Sequence, residues 1–438
     1  MSEPDFRDAL PDGLAHRRGA GLNPGNRFEA NRVHVRGEER DRQRAEREAE
    51  DAERREAGMN KSGPKRVELT VVPDQTVRVI NRVDRSSDVP FDWTLNPYRG
   101  CEHGCIYCFA RPYHEYLGYS CGLDFETKLV AKFDAPELLK RELAKPSWKG
   151  EPIVMSAITD IYQPIEKEYE LSRRCLEVLA DCGQATSTMT KNTLVLRDLD
   201  LWQKLGHQNA GRVIVTLVTL DDELAGRLEP RASPPSARLR IIRELVKAKI
   251  PVGVNIAPVI PGLTDTEIPQ LLEAVADAGA KRVAWVLLRL PYQIKDLFLD
   301  WLDRNVHPDR ARKVESLIRQ ARGGKLYQAG RKGDSAEIER RRMRAESLLN
   351  NHEPRPHDRP CDDPVTKLVQ SRPSDAHFRG RGRSHDRRRG DGHHADQVRR
   401  VFDVYTRRFG LNRDIRPMDT RAFTRPSLHG QLGLFSGG

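Results

Sequence analysis

The strongest constraint on the fold of this chain is a regular alternation of strand-like and helix-like segments that begins near residue 91. Strands are indicated by short apolar runs, and helices by apolar residues at helical spacing. The predicted strands are residues 91–95, 152–158, 185–190, 212–219, 251–259 and 282–289. The predicted helices are residues 135–144, 167–182, 195–205, 236–248 and 265–278, with further helical spacing from 292 to 322. Because such connections join parallel strands by right-handed crossovers, the predicted fold class is α/β, a partial (β/α)6 TIM-type barrel with disordered polar N- and C-terminal extensions.

Composition limits how much of the chain can join that barrel. Of the 438 residues, only 37% are apolar and 32% are charged, so part of the length is predicted to bury no core. The predicted domains are a disordered charged segment (1–63), a short strand or hairpin extension (64–90), the core barrel (91–325), a Pro/Arg/His-rich low-complexity segment (326–396), and an amphipathic helix with a C-terminal tail (397–438).

A short loop after the first predicted strand carries three cysteines, Cys101, Cys105 and Cys108, in the spacing C-x3-C-x2-C. Three thiolates on a four-iron cluster leave one iron open, and an open metal position is where a substrate or cofactor binds. Active sites of β/α barrels lie at the carboxyl ends of the strands, so the loop is predicted to lie at the barrel mouth. The spacing therefore indicates a catalytic iron–sulfur site.

A zinc site is the alternative interpretation of these cysteines, with Cys121, His103 or His114 as a fourth ligand. Zinc motifs more often join two cysteine pairs, and the sequence offers no second pair downstream. His103, between two cysteines, is predicted to be a solvated loop residue without a role.

The cysteine motif, with Tyr107 just before its last cysteine, resembles that of the radical S-adenosylmethionine (SAM) superfamily. Residues 96–101, 159–166 and 228–232 are similar to a bacterial group of that superfamily related to spore photoproduct lyase, and the resemblance covers about residues 91–325. It implies a 4Fe-4S cluster on the three cysteines, with SAM bound at the open iron and cleaved to a 5′-deoxyadenosyl radical that abstracts hydrogen. It also implies a one-electron reductant of the flavodoxin or ferredoxin type, and it suggests a nucleic-acid lesion as substrate.

Polar residues at the ends of the second and third predicted strands are candidates for binding SAM. The resemblance implies that polar groups at the end of the second strand hold the methionyl amino group, which nominates Ser156, Thr159 and especially Asp160. Lys191 follows the third strand. The alternatives are that Thr159 and Asp160 cap a turn and that Lys191 is a surface residue.

Three further segments complete the predicted cofactor site. Glu229 and Arg231 are predicted to pair and to hold the zwitterionic end or the ribose of SAM, a surface ion pair being the alternative. Val259 lies in the stretch 257–263, which resembles the segment that packs the adenine ring, with Gly262 making the turn. Tyr107 is also assigned to the cofactor.

Cys121 is the candidate catalytic residue, because a cysteine returns a hydrogen atom to the product in spore photoproduct lyase. Its position soon after Cys108 favours a loop near the barrel mouth. A small buried thiol without a catalytic role is the alternative.

The net charge of +11 includes an arginine-rich run at residues 379–389, which is compatible with nucleic-acid binding or with a solubilising tail. Seven cysteines, three of them in one loop and the others scattered, favour a reducing compartment. The sequence has neither a signal-peptide pattern nor an apolar run of the ~20 residues that span a membrane. A cytoplasmic protein without a membrane partner is expected. An iron–sulfur or zinc module that binds nucleic acid, or a redox sensor without SAM cleavage, remains the alternative to an enzyme.

Overall fold

The computed structural model describes residues 18–28, 68–83, 89–326, 388–390, 392–413 and 417–427. Its strands are β1 (Thr70–Pro73), β2 (Ile80–Arg82), β3 (Trp93–Leu95), β4 (Tyr98–Arg99), β5 (Lys128–Ala131), β6 (Ile153–Met155), β7 (Thr186–Thr190), β8 (Gly211–Leu217), β9 (Val252–Val259) and β10 (Arg282–Leu287). Its longer helices are α1 (Ala135–Leu143), α2 (Leu171–Asp181), α3 (Leu199–His207), α4 (Asp222–Leu228), α5 (Pro235–Lys247), α6 (Ile268–Asp277), α7 (Ile294–Asn305), α8 (Pro308–Gln320) and α9 (His393–Arg408). Short helical segments are Asp124–Thr127 and Glu166–Tyr169, with 3-10 turns at Arg111–Leu117, Thr193–Asp198 and Asp265–Glu267.

The main sheet is the partial barrel that the sequence predicts. Its strand order is β10-β9-β8-β7-β6-β3-β2, and the neighbours from β3 to β10 are parallel and follow chain order. Strand β2 pairs antiparallel with β3 and forms one edge. Six parallel strands joined by helical crossovers confirm the predicted α/β class.

The helices bury the stripes that their spacing indicates. In α2, Leu171, Cys175, Leu176 and Leu179 are all fully buried, as the 3.6-residue repeat requires. This helix begins at Leu171 rather than at residue 167, because Glu170 adopts a positive φ of 50° that interrupts the helical path. Helix α4 is absent from the sequence prediction.

The extension at residues 64–90, predicted as a strand or hairpin, contains two strands that do not pair with each other. Strand β1 pairs in parallel with β5 in a separate sheet of order β1-β5-β4, whereas β2 joins the barrel sheet. Between the two strands the buried carboxylate of Glu142 accepts the backbone N–H groups of Val79 and Ile80, at 2.8 and 3.2 Å. These hydrogen bonds hold the chain where it passes from the small sheet to the barrel sheet, so β1 and β2 do not pair with each other.

The prediction of disorder through residues 1–63 is wrong for the described stretch 18–28. Ala20 and Asn26 are buried, and the carboxylate of Glu126 accepts the backbone N–H groups of Gly19 and Ala20 at 3.1 and 2.9 Å. The segment is held by hydrogen bonds from its backbone. Because such bonds do not depend on side-chain type, the sequence shows no apolar periodicity there. The rest of residues 1–63 lies outside the described residues.

The C-terminal helix begins at His393, within the predicted low-complexity segment, rather than at residue 397. His394 Nε2 lies 2.8 Å from Asp265 Oδ2, a contact made by the first turn of the helix. Leu287 donates its N–H to the carbonyl of Arg388 at 2.8 Å, so residues 388–390 also pack on the barrel. Residues 327–387, which hold most of the arginine-rich run, and the end of the tail from 428 lie outside the described residues. No helix in the described ranges is long and apolar enough to cross a membrane.

We expect docking of α9 to contribute measurably to stability. Phe402 is 4% exposed and its ring centroid lies 5.7 Å from that of Trp285. Phe402→Ala should lower the free energy of unfolding by about 3 kcal/mol through the lost burial and the cavity left behind. Val404→Ala on the exposed face of the same helix should stay within about 0.5 kcal/mol. Equal midpoints of urea denaturation for the two variants would contradict this docking.

Candidate functional site

The cysteine loop follows β4 and is buried in the folded protein. Cys101 and Cys105 are buried, Cys108 is half-buried, and all three are free thiols. Gly104 makes the reversal between them with a φ of +67°, and a Cβ there would lie 2.8 Å from Glu126 Oε2. Burial raises the pKa of Cys105 and of Cys108, so each thiolate needs a positive partner to form.

A single guanidinium holds the loop's carbonyl groups. Arg111 is fully buried and donates from Nε to the carbonyl of Cys105 at 3.0 Å and from Nη2 to that of Gly104 at 3.2 Å. Its Nη1 also reaches the carbonyls of Cys121 and Gly122, at 3.2 and 2.9 Å. Nη2 lies 2.6 Å from Oε1 of the buried carboxylate of Glu126, which balances the charge. This pair ties the loop to the segment 18–28.

A second carboxylate holds the other side of the loop. Glu102 accepts the N–H of Ile165 at 2.7 Å and pairs with Arg231 at 2.6 Å, and its own N–H donates to Gln163 at 2.9 Å. Thr159 donates its hydroxyl to the carbonyl of Gly100 at 2.6 Å. Thr159 and Arg231, both predicted to bind cofactor, therefore position the cysteine loop.

The prediction that His103 is a solvated loop residue is wrong. Its ring is 1% exposed, with Nδ1 3.3 Å from Asp160 Oδ2 and Nε2 3.1 Å from Asn192 Nδ2. Burial alone would lower the pKa of His103, but the charges of Asp160 and Cys101 raise it to about 10. The sequence suggested exposure because the partners of His103 lie far along the chain.

Asp160 joins the ends of two barrel strands. Its Oδ2 accepts the backbone N–H of Lys191 at 2.8 Å and the hydroxyl of Thr190 at 3.1 Å, just after β7. Ser156, just after β6, has a positive φ of 80°, and its Oγ lies 2.7 Å from the hydroxyl of Thr188. The structure thus brings Ser156, Asp160 and Lys191 together at the carboxyl ends of β6 and β7, and their contact with SAM stays a prediction.

The predicted pair of Glu229 with Arg231 is wrong, because Glu229 pairs with Arg238. Glu229 is 2% exposed, bonds the guanidinium of Arg238, and accepts the hydroxyl of Tyr107. Burial would raise the pKa of Glu229, but Arg238 and Lys191, whose Nζ lies 3.9 Å from Oε1, hold it below its ordinary value. Glu229 is therefore an ionised group that fixes the tyrosine next to Cys108.

The sequence pattern around Arg238 indicates that this residue is buried, and the sequence prediction did not use it. It lies on the same face of α5 as Ile241, Ile242 and Leu245, all buried. A charged residue on an apolar helical stripe needs a buried partner of opposite charge. Arg111, Glu126, Glu102 and Gln163 were also missed, and each meets a partner that is distant in sequence or part of the backbone.

The remaining predicted site residues are buried nearby. Val259 is 1% exposed at the end of β9 and its carbonyl accepts the N–H of Leu288 at 2.9 Å; Gly262 makes the turn with a φ of +73°. Cys121 is fully buried in the apolar cluster that also contains Cys105 and Tyr107, with Sγ 3.4 Å from Gln293 Oε1. Burial raises the pKa of Cys121 to about 12, so its sulfur keeps its proton at neutral pH. Adenine packing by Val259 and hydrogen donation by Cys121 stay predictions.

Comparison with known proteins decides the family. The Radical SAM superfamily profile matches residues 95–275. Over 243 residues the chain is 39% identical to an uncharacterized protein of Mycobacterium tuberculosis, which covers 55% of this chain and 71% of that protein. The chain belongs to the radical SAM superfamily.

Other relatives of the chain are more distant. An uncharacterized protein of Methanocaldococcus jannaschii is 31% identical over 175 residues, which cover 40% of this chain and 63% of that protein. A solved structure of a spore photoproduct lyase mutant with bound AdoMet and dinucleoside spore photoproduct is similar with a TM-score of 0.42 and 16% identity, covering 55% of this chain and 68% of that one.

The donor chemistry of the loop fits the iron–sulfur cluster that radical SAM membership implies. The three cysteines supply soft sulfur ligands, and burial raises the pKa of Cys105 and of Cys108, so a positively charged partner favours their ionisation. Among the residues described, no three His, Cys, Asp or Glu side chains are grouped closely enough to hold one metal ion, so the fit of the cysteine loop rests on the type and the sequence spacing of its donors. Of the alternative fourth zinc ligands, His103 is engaged by Asp160 and Asn192, and Cys121 faces Gln293.

We expect Arg238 and Arg231 to differ sharply in their contributions to stability. Arg238→Met leaves the fully buried carboxylate of Glu229 without its main partner and should cost about 3–5 kcal/mol of unfolding free energy. Arg231 is 31% exposed, so Arg231→Met should cost about 1–2 kcal/mol. Thermal unfolding of both variants against wild type tests this. A larger loss for Arg231→Met would contradict the assignment of Arg238 as the partner of Glu229.

Proposed function

We propose that this protein is a radical SAM enzyme that binds a 4Fe-4S cluster through Cys101, Cys105 and Cys108 and reductively cleaves SAM. The observation that carries the proposal is the buried loop of three free thiols at the carboxyl ends of a parallel barrel sheet. When bound, the reduced cluster supplies the electron that cleaves SAM to methionine and a 5′-deoxyadenosyl radical. The protein itself supplies position and exclusion of water.

The surroundings of the loop support tight positioning of its ligands. Arg111 and Glu102 bind the loop from two sides, so the thiols are held by a fixed backbone rather than by a flexible surface turn. Lys191 lies close enough to Cys105 and Glu229 that their charges raise its pKa despite the opposing effect of burial. A cation beside the thiolates stabilises the negative charge of the ligand set.

The polar residues at the strand ends are the proposed contacts for the methionyl group of SAM. Lys191 would pair with its carboxylate, and Asp160, with Ser156 beside it, would receive its amino group. Support comes from the arrangement of these side chains at the ends of β6 and β7. Arg231 and Thr159 are proposed to act through the loop, since their polar atoms already bind Glu102 and Gly100.

The substrate and the partners belong to the same proposal. A nucleic-acid lesion is the substrate suggested by the resemblance, with Cys121 returning the hydrogen atom; its protonated, buried sulfur is the form that such a step requires. A cytoplasmic flavodoxin or ferredoxin would supply the electron. Six described cysteines that are all free suit a reducing compartment.

We expect the reconstituted wild type to form 5′-deoxyadenosine and Cys105→Ala to form none. The full chain is reconstituted anaerobically with iron and sulfide, then mixed with dithionite and SAM, and the product is measured by chromatography. Loss of one ligand removes the open-iron cluster on which cleavage depends. Cys182→Ala is the matched control, because this free cysteine at the end of α2 lies outside the loop and should keep wild-type product yield.

Other outcomes favour the other functions. An intact cluster with no deoxyadenosine would contradict SAM cleavage and favour a binding module or sensor. Purified protein that binds zinc at the loop and incorporates no iron on reconstitution would contradict the proposal of a 4Fe-4S cluster. Equal yields from Cys105→Ala and wild type would remove the loop from the reaction.

A further inference from the structure

A pocket of about 300 Å³ lies against the cysteine loop, on the side of the small sheet. Its wall includes Gly100, directly before Cys101, and Ala110, two residues after Cys108. Ile158 also lines it and packs in one cluster with Cys101 and Ala110. One layer of residues thus separates this pocket from the three thiols.

Lys132 is the most unusual group in the wall of this pocket. It is 3% exposed, yet among the described residues its ammonium group has no hydrogen-bond or ion-pair partner. Burial, and then the charge of Arg99, lower the pKa of Lys132, while the charges of Asp74 and Glu142 act in the opposite direction. A buried ammonium group that makes no direct hydrogen bond or ion pair is costly, even with the carboxylates of Asp74 and Glu142 nearby. A ligand of negative charge would explain why lysine stands there.

Two further donors face the same space. Arg99 lines the pocket with a side chain that is 36% exposed and forms an ion pair with Asp74, whose Oδ2 lies 3.7 Å from Nε, beyond hydrogen-bond distance. Asn96 is 5% exposed and uses its Oδ1 to accept the N–H groups of Ala157 and Ile158, while its amide NH₂ has no partner in the described ranges. An ammonium, a guanidinium and an amide N–H group together form a donor-rich wall suited to an oxyanion.

The rim of the pocket is aromatic. Tyr113 and Tyr116 line it, are 51% and 63% exposed, and have ring centroids 6.3 Å apart. Exposed tyrosine rings beside a cationic groove provide a stacking surface for planar rings. The pocket therefore combines contacts for an anion with contacts for an attached heterocycle.

We propose that this pocket binds a phosphate group of the substrate through Lys132, Arg99 and Asn96, with the attached base against Tyr113 and Tyr116. The substrate class is a nucleotide, free or within a single strand. In naming this ligand a substrate, the inference rests on the proposed function. The pocket's shared wall with the cysteine loop would hold the nucleotide beside the site where the radical forms.

Binding is tested on the full reconstituted chain without reductant or SAM. The probes are inorganic phosphate, deoxycytidine 5′-monophosphate, deoxycytidine and a short single-stranded oligodeoxycytidylate, with the shift in thermal unfolding midpoint and calorimetric affinity as readouts. The monophosphate should stabilise wild type more than the nucleoside does. Lys132→Met should weaken its binding about 10- to 100-fold, because a charged hydrogen bond is lost.

Two variants control this test. Lys128, on β5 four residues before Lys132, has a side chain that is 43% exposed and pairs with Asp124, so Lys128→Met should bind the probes as wild type does. Without ligand, Lys132→Met should unfold near the wild-type temperature, since among the described residues the ammonium group makes no hydrogen bond or ion pair that the substitution would break. Arg99→Met, at the more exposed side of the pocket, should also weaken phosphate binding and serves if Lys132→Met fails to fold.

Equal affinity of wild type and Lys132→Met, or equal weakening by Lys132→Met and Lys128→Met, would overturn the proposal. Stronger binding of the oligonucleotide than of the monophosphate would indicate that the bound phosphate belongs to a nucleic-acid strand. Stronger binding of the monophosphate would indicate a free nucleotide. Either result supports a phosphate site. If deoxyadenosine forms but no probe binds, this inference fails alone. If probes bind through Lys132 but no deoxyadenosine forms, the SAM-cleavage proposal fails and the pocket stands.

Discussion

The buried ion pair between Arg111 and Glu126 is the interaction on which the site depends. The cysteine loop has no regular secondary structure, so its carbonyl groups need donors from elsewhere. The guanidinium of Arg111 donates hydrogen bonds to the carbonyls of Gly104 and Cys105 in the loop. It also binds the carbonyls of Cys121 and Gly122, which lie outside the loop. The buried charge of Arg111 is stabilised by Glu126, whose Oε1 lies 2.6 Å from Nη2. Glu126 in turn accepts the backbone N–H groups of residues 19 and 20.

Two more carboxylates extend this arrangement to the crossover after β8. Glu102 pairs with Arg231, and Glu229 pairs with Arg238 while accepting the hydroxyl of Tyr107. Buried ion pairs add little net stability over apolar contacts, because the desolvation of both charges offsets their attraction. Their effect here is geometric, since directional bonds on both sides of the loop fix the relative positions of three thiols better than apolar contacts would.

The sequence predicts the parts of this protein that depend on local patterns. Apolar spacing located β3 and β6–β10 and most of the helices, and the cysteine spacing located the loop. It did not predict the burial of His103, whose partner Asp160 follows the next barrel strand, or the packing of residues 18–28, which bind Glu126 through the backbone. Such contacts join residues that are far apart in sequence, and they leave no periodicity. Arg238 is the intermediate case, because its place on the apolar stripe of α5 was visible although its partner was not.

Asn96 links the phosphate pocket to the proposed SAM contacts. Its Oδ1 accepts the N–H groups of Ala157 and Ile158, at 3.0 and 3.1 Å, and so holds the chain between Ser156 and Asp160. The amide NH₂ of the same side chain faces the pocket. An anion bound in the pocket would accept a hydrogen bond from the same amide that orients the chain after β6. Because one planar group contacts both sides, we expect occupancy of the pocket to be coupled to the positions of Ser156 and Asp160, the proposed contacts of the cofactor.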